Sequence, residues 1–321
     1  MVMMTGRQPR IALYLLMGTV VLMGAAVGGR KTPPAEETPA TLSSEMPPSR
    51  RPPHQDDMIR LAGGEFLMGT PRPSPDDQRP VHRVVVAPFW MDITPVTNRE
   101  FSEFSEATDY RTTAERNGWS LLFDQEQGNW QKTEGTNWRH PTGPQSSLAG
   151  KENYPVVHVS WYDAVAYSTW AKKRLPTEAE YEFAARGGLS DMPFPWGREL
   201  TPARQLRANY WQGKFPLHNL VQDGYFEVAP TKTYPANPYG LYDMAGNVAC
   251  WCYDWYAADA YGHHRSDNPL GPPSGTQRVL RGGSWASTAE PGAGLHVGDR
   301  LSALPGQTSN HVGIRCVRDA K

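Results

Sequence analysis

Lys173-Arg174-Leu175-Pro176-Thr177-Glu178-Ala179-Glu180 opens a helix, and Arg186-Gly187-Gly188-Leu189 closes it. Thr177 can cap the first turn, and Glu180, three residues on, can reach back to complete a capping box. Gly187-Gly188 supplies the left-handed stop. Just upstream, Ser160 begins another helix, because Trp161, Ala164, Val165, Tyr167 and Thr169-Trp170 recur at helical spacing. Beyond Asp191 only short segments and turns follow. Towards the N-terminus, Thr97 can cap a helix over 98–106 that places Phe101 and Phe104 on one face. Residues 59–69 alternate about Gly63-Gly64 as a hairpin would, and 82–86 and 89–92 read as strands. Residues 110–150, rich in Gly, Trp and polar groups, read as a long ordered loop. Two or three short helices among many short strands and long loops predict an α+β fold, low in regular secondary structure, in one domain.

Composition agrees. Hydrophobic residues are 39% and charged residues 20% of the 321, as in soluble globular proteins. Thirty Gly and thirty Pro mean many turns, and eleven Trp need a core or a groove to hold them. Lys plus Arg is 32 and Asp plus Glu 33, so the net charge of -1 gives no electrostatic case for nucleic acid as a partner. Three cysteines are too few for a disulfide framework.

Arg7 and Arg10 precede an apolar, uncharged run over 11–29 that ends among small residues. This is the grammar of a signal peptide, and the run also reaches the lower limit of a membrane anchor. Either form predicts export, to a periplasm or cell surface, or to the secretory lumen in a eukaryote. The membrane would be touched only through this segment, if it is uncleaved. Residues 30–57 carry Thr32-Pro33-Pro34, Pro47-Pro48 and Pro52-Pro53 without apolar periodicity, the pattern of a disordered linker. The folded domain is expected over 58–321.

Several strings stand out together. They are Pro155-Val156-Val157-His158-Val159-Ser160-Trp161, the 173–180 and 186–189 segments, Phe194-Pro195-Trp196-Gly197 and Asn209-Tyr210-Trp211-Gln212-Gly213. Tyr239-Gly240-Leu241-Tyr242-Asp243-Met244-Ala245-Gly246-Asn247-Val248 follows, then Arg281-Gly282-Gly283-Ser284-Trp285 and Gly313-Ile314-Arg315-Cys316. In this order and spacing the chain resembles the formylglycine-generating enzymes, or sulfatase-modifying factors, over about 58–319. The resemblance implies a C-type-lectin-like fold and a role in protein maturation.

That family's oxidases hold Cu(I) with two cysteines downstream of the Gly-Gly-Ser-aromatic string. Read without gaps, those positions are Ser287 and Gly292, which offer no thiolate, so copper is not expected. Iron is used elsewhere in the family, and the residues here argue neither for it nor against it. Cys250 and Cys252, alternate residues of an extended segment, could share a face. They read either as structural thiols or as a soft-metal pair with His263, His264 or His296. The resemblance pairs Cys316 with a position that is Ser168 here, which leaves Cys316 a lone thiol.

The resemblance also implies a structural Ca²⁺ held by Asn209, the Tyr210 carbonyl, Asp223 and the Tyr225 carbonyl; hard oxygens suit that ion. A second calcium site would use Asn247, but its carboxylate is replaced by Cys250. The family's substrate groove maps to Ser284 and Trp285, with Trp119 and Trp138 on the long loop. His158 reads as a core histidine. Glu178, Glu180 and Glu182 read as helix-start acids, and Arg174, Arg281 and Arg315 as buried hydrogen-bonded groups. Two functions follow: an accessory protein binding a polypeptide or small molecule in the groove, or an oxidase of altered chemistry, as in periplasmic siderophore maturation. Formylglycine formation through relocated thiols is the third.

Overall fold

The computed structural model describes residues 57–71 and 73–320. The expected signal peptide or anchor, and the linker up to residue 56, lie outside them. Within them, no helix is long and apolar enough to cross a membrane.

The helices stand where caps place them. In α1 (Asn98–Thr108), α3 (Trp161–Trp170) and α4 (Glu178–Arg186), a capping box at Thr97, Ser160 or Thr177 satisfies the first turn. Gly187 ends α4 in the left-handed conformation. The 110–150 stretch is more regular than a long loop. It holds α2 (Thr113–Asn117), capped by Thr112, and a hairpin of β5 (Trp119–Asp124) and β6 (Asn129–Glu134). The Asp124 carboxylate accepts from the Glu126 and Gln127 amides and so folds the turn.

The 59–69 hairpin is corrected. β1 (Met58–Leu61) pairs with β4 (Phe89–Asp92), whereas β2 (Gly64–Met68) pairs with β3 (His82–Val86). Gly63, at φ +68°, lies against the Val86 carbonyl, where a side chain would collide. The glycine pair therefore hands the chain from one sheet to another instead of folding it back.

β7 (Ala249–Trp255), β8 (Arg278–Arg281), β9 (Leu301–Ala303) and β10 (Val312–Gly313) form a sheet ordered β10-β7-β8-β9, with β10 parallel to β7. β11 (Val317–Asp319) completes the β1-β4 sheet. Alternation along β7 divides the interior. Cys250 and Cys252 face a core with Tyr181 and Phe183 of α4, and Ala249 and Trp251 face one with Phe101 of α1 and Tyr167 of α3.

Candidate functional site

β8 runs into the loop that carries Ser284 and Trp285. The Ser284 amide donates to Ser287 Oγ (3.0 Å), and the Ala286 amide donates to Ser284 Oγ (3.2 Å). The Ser287 carbonyl accepts from the Trp211 amide (2.8 Å), and Ser287 is only 6% exposed. Further on, one carboxylate organises the loop. Asp299 accepts from the amides of Gly292 (2.9 Å), Gly294 (2.8 Å) and His296 (3.1 Å), and from Gln78 Nε2 (3.0 Å). Gly292 sits at φ +86°, and a Cβ there would lie 2.6 Å from Pro75 Cγ. Both the backbone and the neighbour demand glycine.

Trp285 anchors an aromatic nest. Its indole donates to the Asn310 carbonyl (3.0 Å), and its ring lies 5.6 Å from Phe123, 6.3 Å from Phe226, and 6.4 Å from both Trp130 and Trp211. Phe215 stacks on Trp130. Phe123, Trp211 and Trp285 are buried, whereas Trp130, Phe215 and Phe226 are half-buried and form the open side. At the edge, Trp130 Nε1 donates to Asn310 Oδ1 (3.0 Å), and Asn310 Nδ2 donates to Glu227 Oε1 (3.0 Å). Burial pushes the Glu227 carboxyl up to about 7 against the pull of Lys151. His311 packs 4.5 Å from Trp130, and burial pushes its imidazole down to about 3.

The expected groove residues separate. Ser284 and Trp285 stand at the nest. Trp119 lies on β5 with the Lys132 ammonium 4.8 Å over its ring, and makes no ring contact with the nest among the described residues. Trp138 is corrected: it is fully buried, 5.1 Å from Phe101, in the core beside α1 and cannot line a groove. Phe123 and Trp130 of the hairpin, with Phe215 and Phe226, surround Trp285 instead, and sequence reasoning misses them. The signal for Phe123 and Trp130 in the chain is alternation across the Asp124 turn.

Next to the nest lies an oxygen cradle. Asn209 Oδ1 is buried without a partner. Gln212 Nε2 donates to both the Tyr210 carbonyl and Asp223 Oδ2 (2.5 Å to the latter), and the Tyr225 amide donates to Asp223 Oδ1 (3.1 Å). The orphaned Asn209 Oδ1, the Tyr210 carbonyl and the Asp223 carboxylate are oxygens of the kind Ca²⁺ takes, and Gln212 Nε2 bridges the last two. Asn209 Nδ2 donates to the Glu227 carbonyl (2.7 Å), which ties the cradle to the nest.

Asn247 differs. Its Oδ1 already takes Asn209 Nδ2 (3.2 Å) and the Ala229 amide (2.9 Å), and Cys250 supplies no carboxylate. The second calcium site does not fit and is corrected.

Cys250 and Cys252 do share a face, but inside the core. Burial pushes the Cys250 thiol up to about 11 and Cys252 well above its ordinary value, so neither is a ready thiolate. The histidines that could join them are engaged elsewhere. His264 Nδ1 lies 3.2 Å from His82 Nε2, exposed His263 lies 3.7 Å from Asp259, and His296 packs edge-on to Phe194. Among the described residues no three His, Cys, Asp or Glu gather for a metal, and the soft-metal pair is corrected. Cys316 is likewise buried and free.

His158 is a core histidine, bonded to Ser120 Oγ (2.7 Å) and the Pro141 carbonyl (2.9 Å). Arg281 and Arg300 clasp Glu178, and Arg281 and Arg186 clasp Glu182. Half-exposed Arg174 pairs with Glu180 and Asp319, and Arg315 donates to the Asp92 carbonyl (2.6 Å).

The model of the sulfatase-modifying factor enzyme 1-like domain matches residues 43–320. The chain belongs to this family. The formylglycine-generating enzyme of Thermomonospora curvata is 44% identical over 285 residues, 82% of this chain and 93% of that one. The inactive C-alpha-formylglycine-generating enzyme 2 of Bos taurus is 43% identical over 282 residues, 82% of this chain and 88% of that one. Among solved structures, PvdO of Pseudomonas aeruginosa superposes with a TM-score of 0.63 at 26% identity, covering 82% of this chain and 94% of that one.

Relatives with opposite descriptions are thus equally similar, and overall identity cannot assign the activity. The copper implied by the resemblance does not fit. Ser287 offers a hydroxyl already bonded to an amide, and Gly292, where a side chain would meet Pro75, offers none, so neither position supplies a soft ligand.

Proposed function

We propose that this chain is a family member that does not form formylglycine with copper, and that it binds a polypeptide or a small molecule at the Trp285 nest. In this reading the protein is exported, and Ca²⁺ at Asn209, Tyr210, Asp223 and Tyr225 braces the segment that carries Trp211. One observation carries the proposal. The loop is built around Ser287 and around Gly292, whose backbone would strain any other residue, so neither position offers a thiolate and a side chain at 292 is opposed. An aromatic nest whose open side remains half-buried retains what a ligand site needs without a metal.

The test is mass spectrometry of a Cys-x-Pro-x-Arg peptide after incubation with the full chain, Cu(I), oxygen and a reductant. The expected product is unchanged peptide from a folded, calcium-loaded sample. An aldehyde would overturn the proposal.

A second reading, an oxidase of altered chemistry, is favoured by Glu227. A carboxyl pushed up to about 7 at the edge of the nest can accept and return a proton near neutrality. It requires that Glu227→Gln abolish turnover of a ligand while leaving its binding intact.

A further inference from the structure

A second aromatic cluster lies apart from the nest, where the start of α3 meets β7 and β8. The Arg278 guanidinium is stacked between Trp255 (3.4 Å to the ring centre) and Trp161 (3.9 Å), with Tyr253 at 5.7 Å. Trp161 is itself fixed, its indole donating to the Cys252 carbonyl (3.0 Å). Arg278 is only 9% exposed. Its Nη1 donates to the Tyr253 carbonyl (2.5 Å), its Nε has no partner, and no carboxylate pairs with it among the described residues.

Burial without a counter-ion is the unfavourable arrangement for a guanidinium, and rings offset only part of it. The other deeply buried arginines of this sheet region, Arg281 and Arg300, are both paired with Glu178. The carboxyl whose field reaches Arg278 is Asp254, and burial beside Glu178 pushes it up to about 8, so it is largely uncharged at neutral pH. The surroundings are open. Tyr162 is 52% exposed, Tyr253 49% and Leu304 50%, and the Trp161 amide donates to the carbonyl of Pro305, the residue after Leu304. β9, which pairs with Arg278 through Ala303, is the edge strand of its sheet.

We infer that this patch docks an acidic polypeptide segment, one carboxylate completing Arg278 while flanking apolar side chains cover Tyr162, Tyr253 and Leu304. Tyrosine, tryptophan and arginine are the residues on which such interfaces concentrate their energy. A charge-assisted bond to a desolvated guanidinium gives selectivity for carboxylate over amide. The surface is independent of the Trp285 nest and of the function proposed for it.

The test uses the full chain and a capped pentapeptide alternating glutamate with leucine, beside its glutamine counterpart, read by NMR titration. Saturable binding of the acidic peptide, roughly tenfold tighter than the amide peptide and weakened by salt, is the expected result. Because Arg278→Gln risks the fold, Tyr162→Ser and Tyr253→Ser are made as well. Both should weaken binding several-fold with an unchanged melting temperature. No saturation, equal affinity for the two peptides, or indifference to both tyrosine variants would overturn the inference. So would a dimer in ultracentrifugation that Tyr253→Ser dissolves and the acidic peptide does not, since that assigns the patch to a second copy of the chain.

Discussion

Two regions flank the Ser284–Arg300 loop, and both are built from buried oxygen. On one side, Glu178 and Glu182 of α4 meet Arg281, Arg300 and Arg186, and every carboxylate has its cation. Burial alone would raise both carboxyls, but Arg300 and Arg281 overrule it at Glu178, and Arg186 and Arg281 at Glu182, so both titrate below their ordinary range. On the other side, Asn209 Oδ1 has no donor, and Asp223 has only the Gln212 amide and two backbone amides, with no cation among the described residues. The first region carries its own counter-charges within the chain. On the calcium reading proposed above, the second would be completed by a cation, which would make it the point where conditions outside the protein act on its stability.

The largest effect is expected from breaking the first region. Glu182→Gln leaves Arg186 and Arg281 short of a charge inside the core, which should cost about 3–5 kcal/mol in urea unfolding. Calcium should not restore it. The same cluster predicts opposite pH trends for two kinds of acid. The lowered pKa values of Glu178 and Glu182 contribute stability that is present above the ordinary carboxylate range and lost as pH falls below it. Asp254, raised to about 8 mainly by burial, contributes stability that is present in acid and lost as pH rises through that value. Asp254→Asn should therefore gain on the parent protein as pH rises towards 8, read as the difference between their urea midpoints. Parallel pH curves would show that Asp254 is not held protonated.

The cradle predicts the next effect. Calcium at a hundredfold excess over its Kd should add about 2.7 kcal/mol, seen as a raised melting temperature that EDTA reverses. Asp223→Asn should abolish the gain, whereas Glu182→Gln, outside the cradle, should lower stability without removing the calcium response. If calcium does nothing to the parent protein, the contrast between the two regions collapses, and Gln212 is the cradle's permanent occupant.

What the chain announces about itself follows the range of each interaction. Capping boxes close within three residues, and so Thr97, Ser160 and Thr177 are legible as helix starts. The face shared by Cys250 and Cys252 is legible from strand alternation, but the depth of that face is not. The nest is not legible because its rings come from β5, β6, the 211–226 segment and Trp285, brought together by folding. Trp119 and Trp138 stand out in the chain as loop tryptophans, whereas Phe123 and Trp130, turned inward by the hairpin register, reach the site. The Gly63-Gly64 pair signals a turn correctly, but its direction depends on the Val86 carbonyl, which no local pattern reveals.

The loop between the two regions provides the smallest effect and the finest test. Arg300 at one end belongs to the ionic cluster, and the Ser287 carbonyl at the other is held by Trp211, neighbour of the cradle's Tyr210. Between them, Asp299 gathers three amides, and that gathering sets Gly292 at φ +86° against Pro75. A side chain at 292 is therefore opposed by conformation and by packing, and Gly292→Cys should cost about 1–3 kcal/mol in urea unfolding. Ser287→Cys alone should cost less, because the buried hydroxyl makes one bond to the Ser284 amide that a thiol replaces weakly. The double variant supplies two thiols on a loop that Asp299 and Pro75 hold in its present course. It should leave the Cys-x-Pro-x-Arg peptide unoxidised in the presence of Cu(I). Oxidation by the double variant at unchanged stability would mean that the loop rearranges freely, and that the two flanking regions do not fix its course.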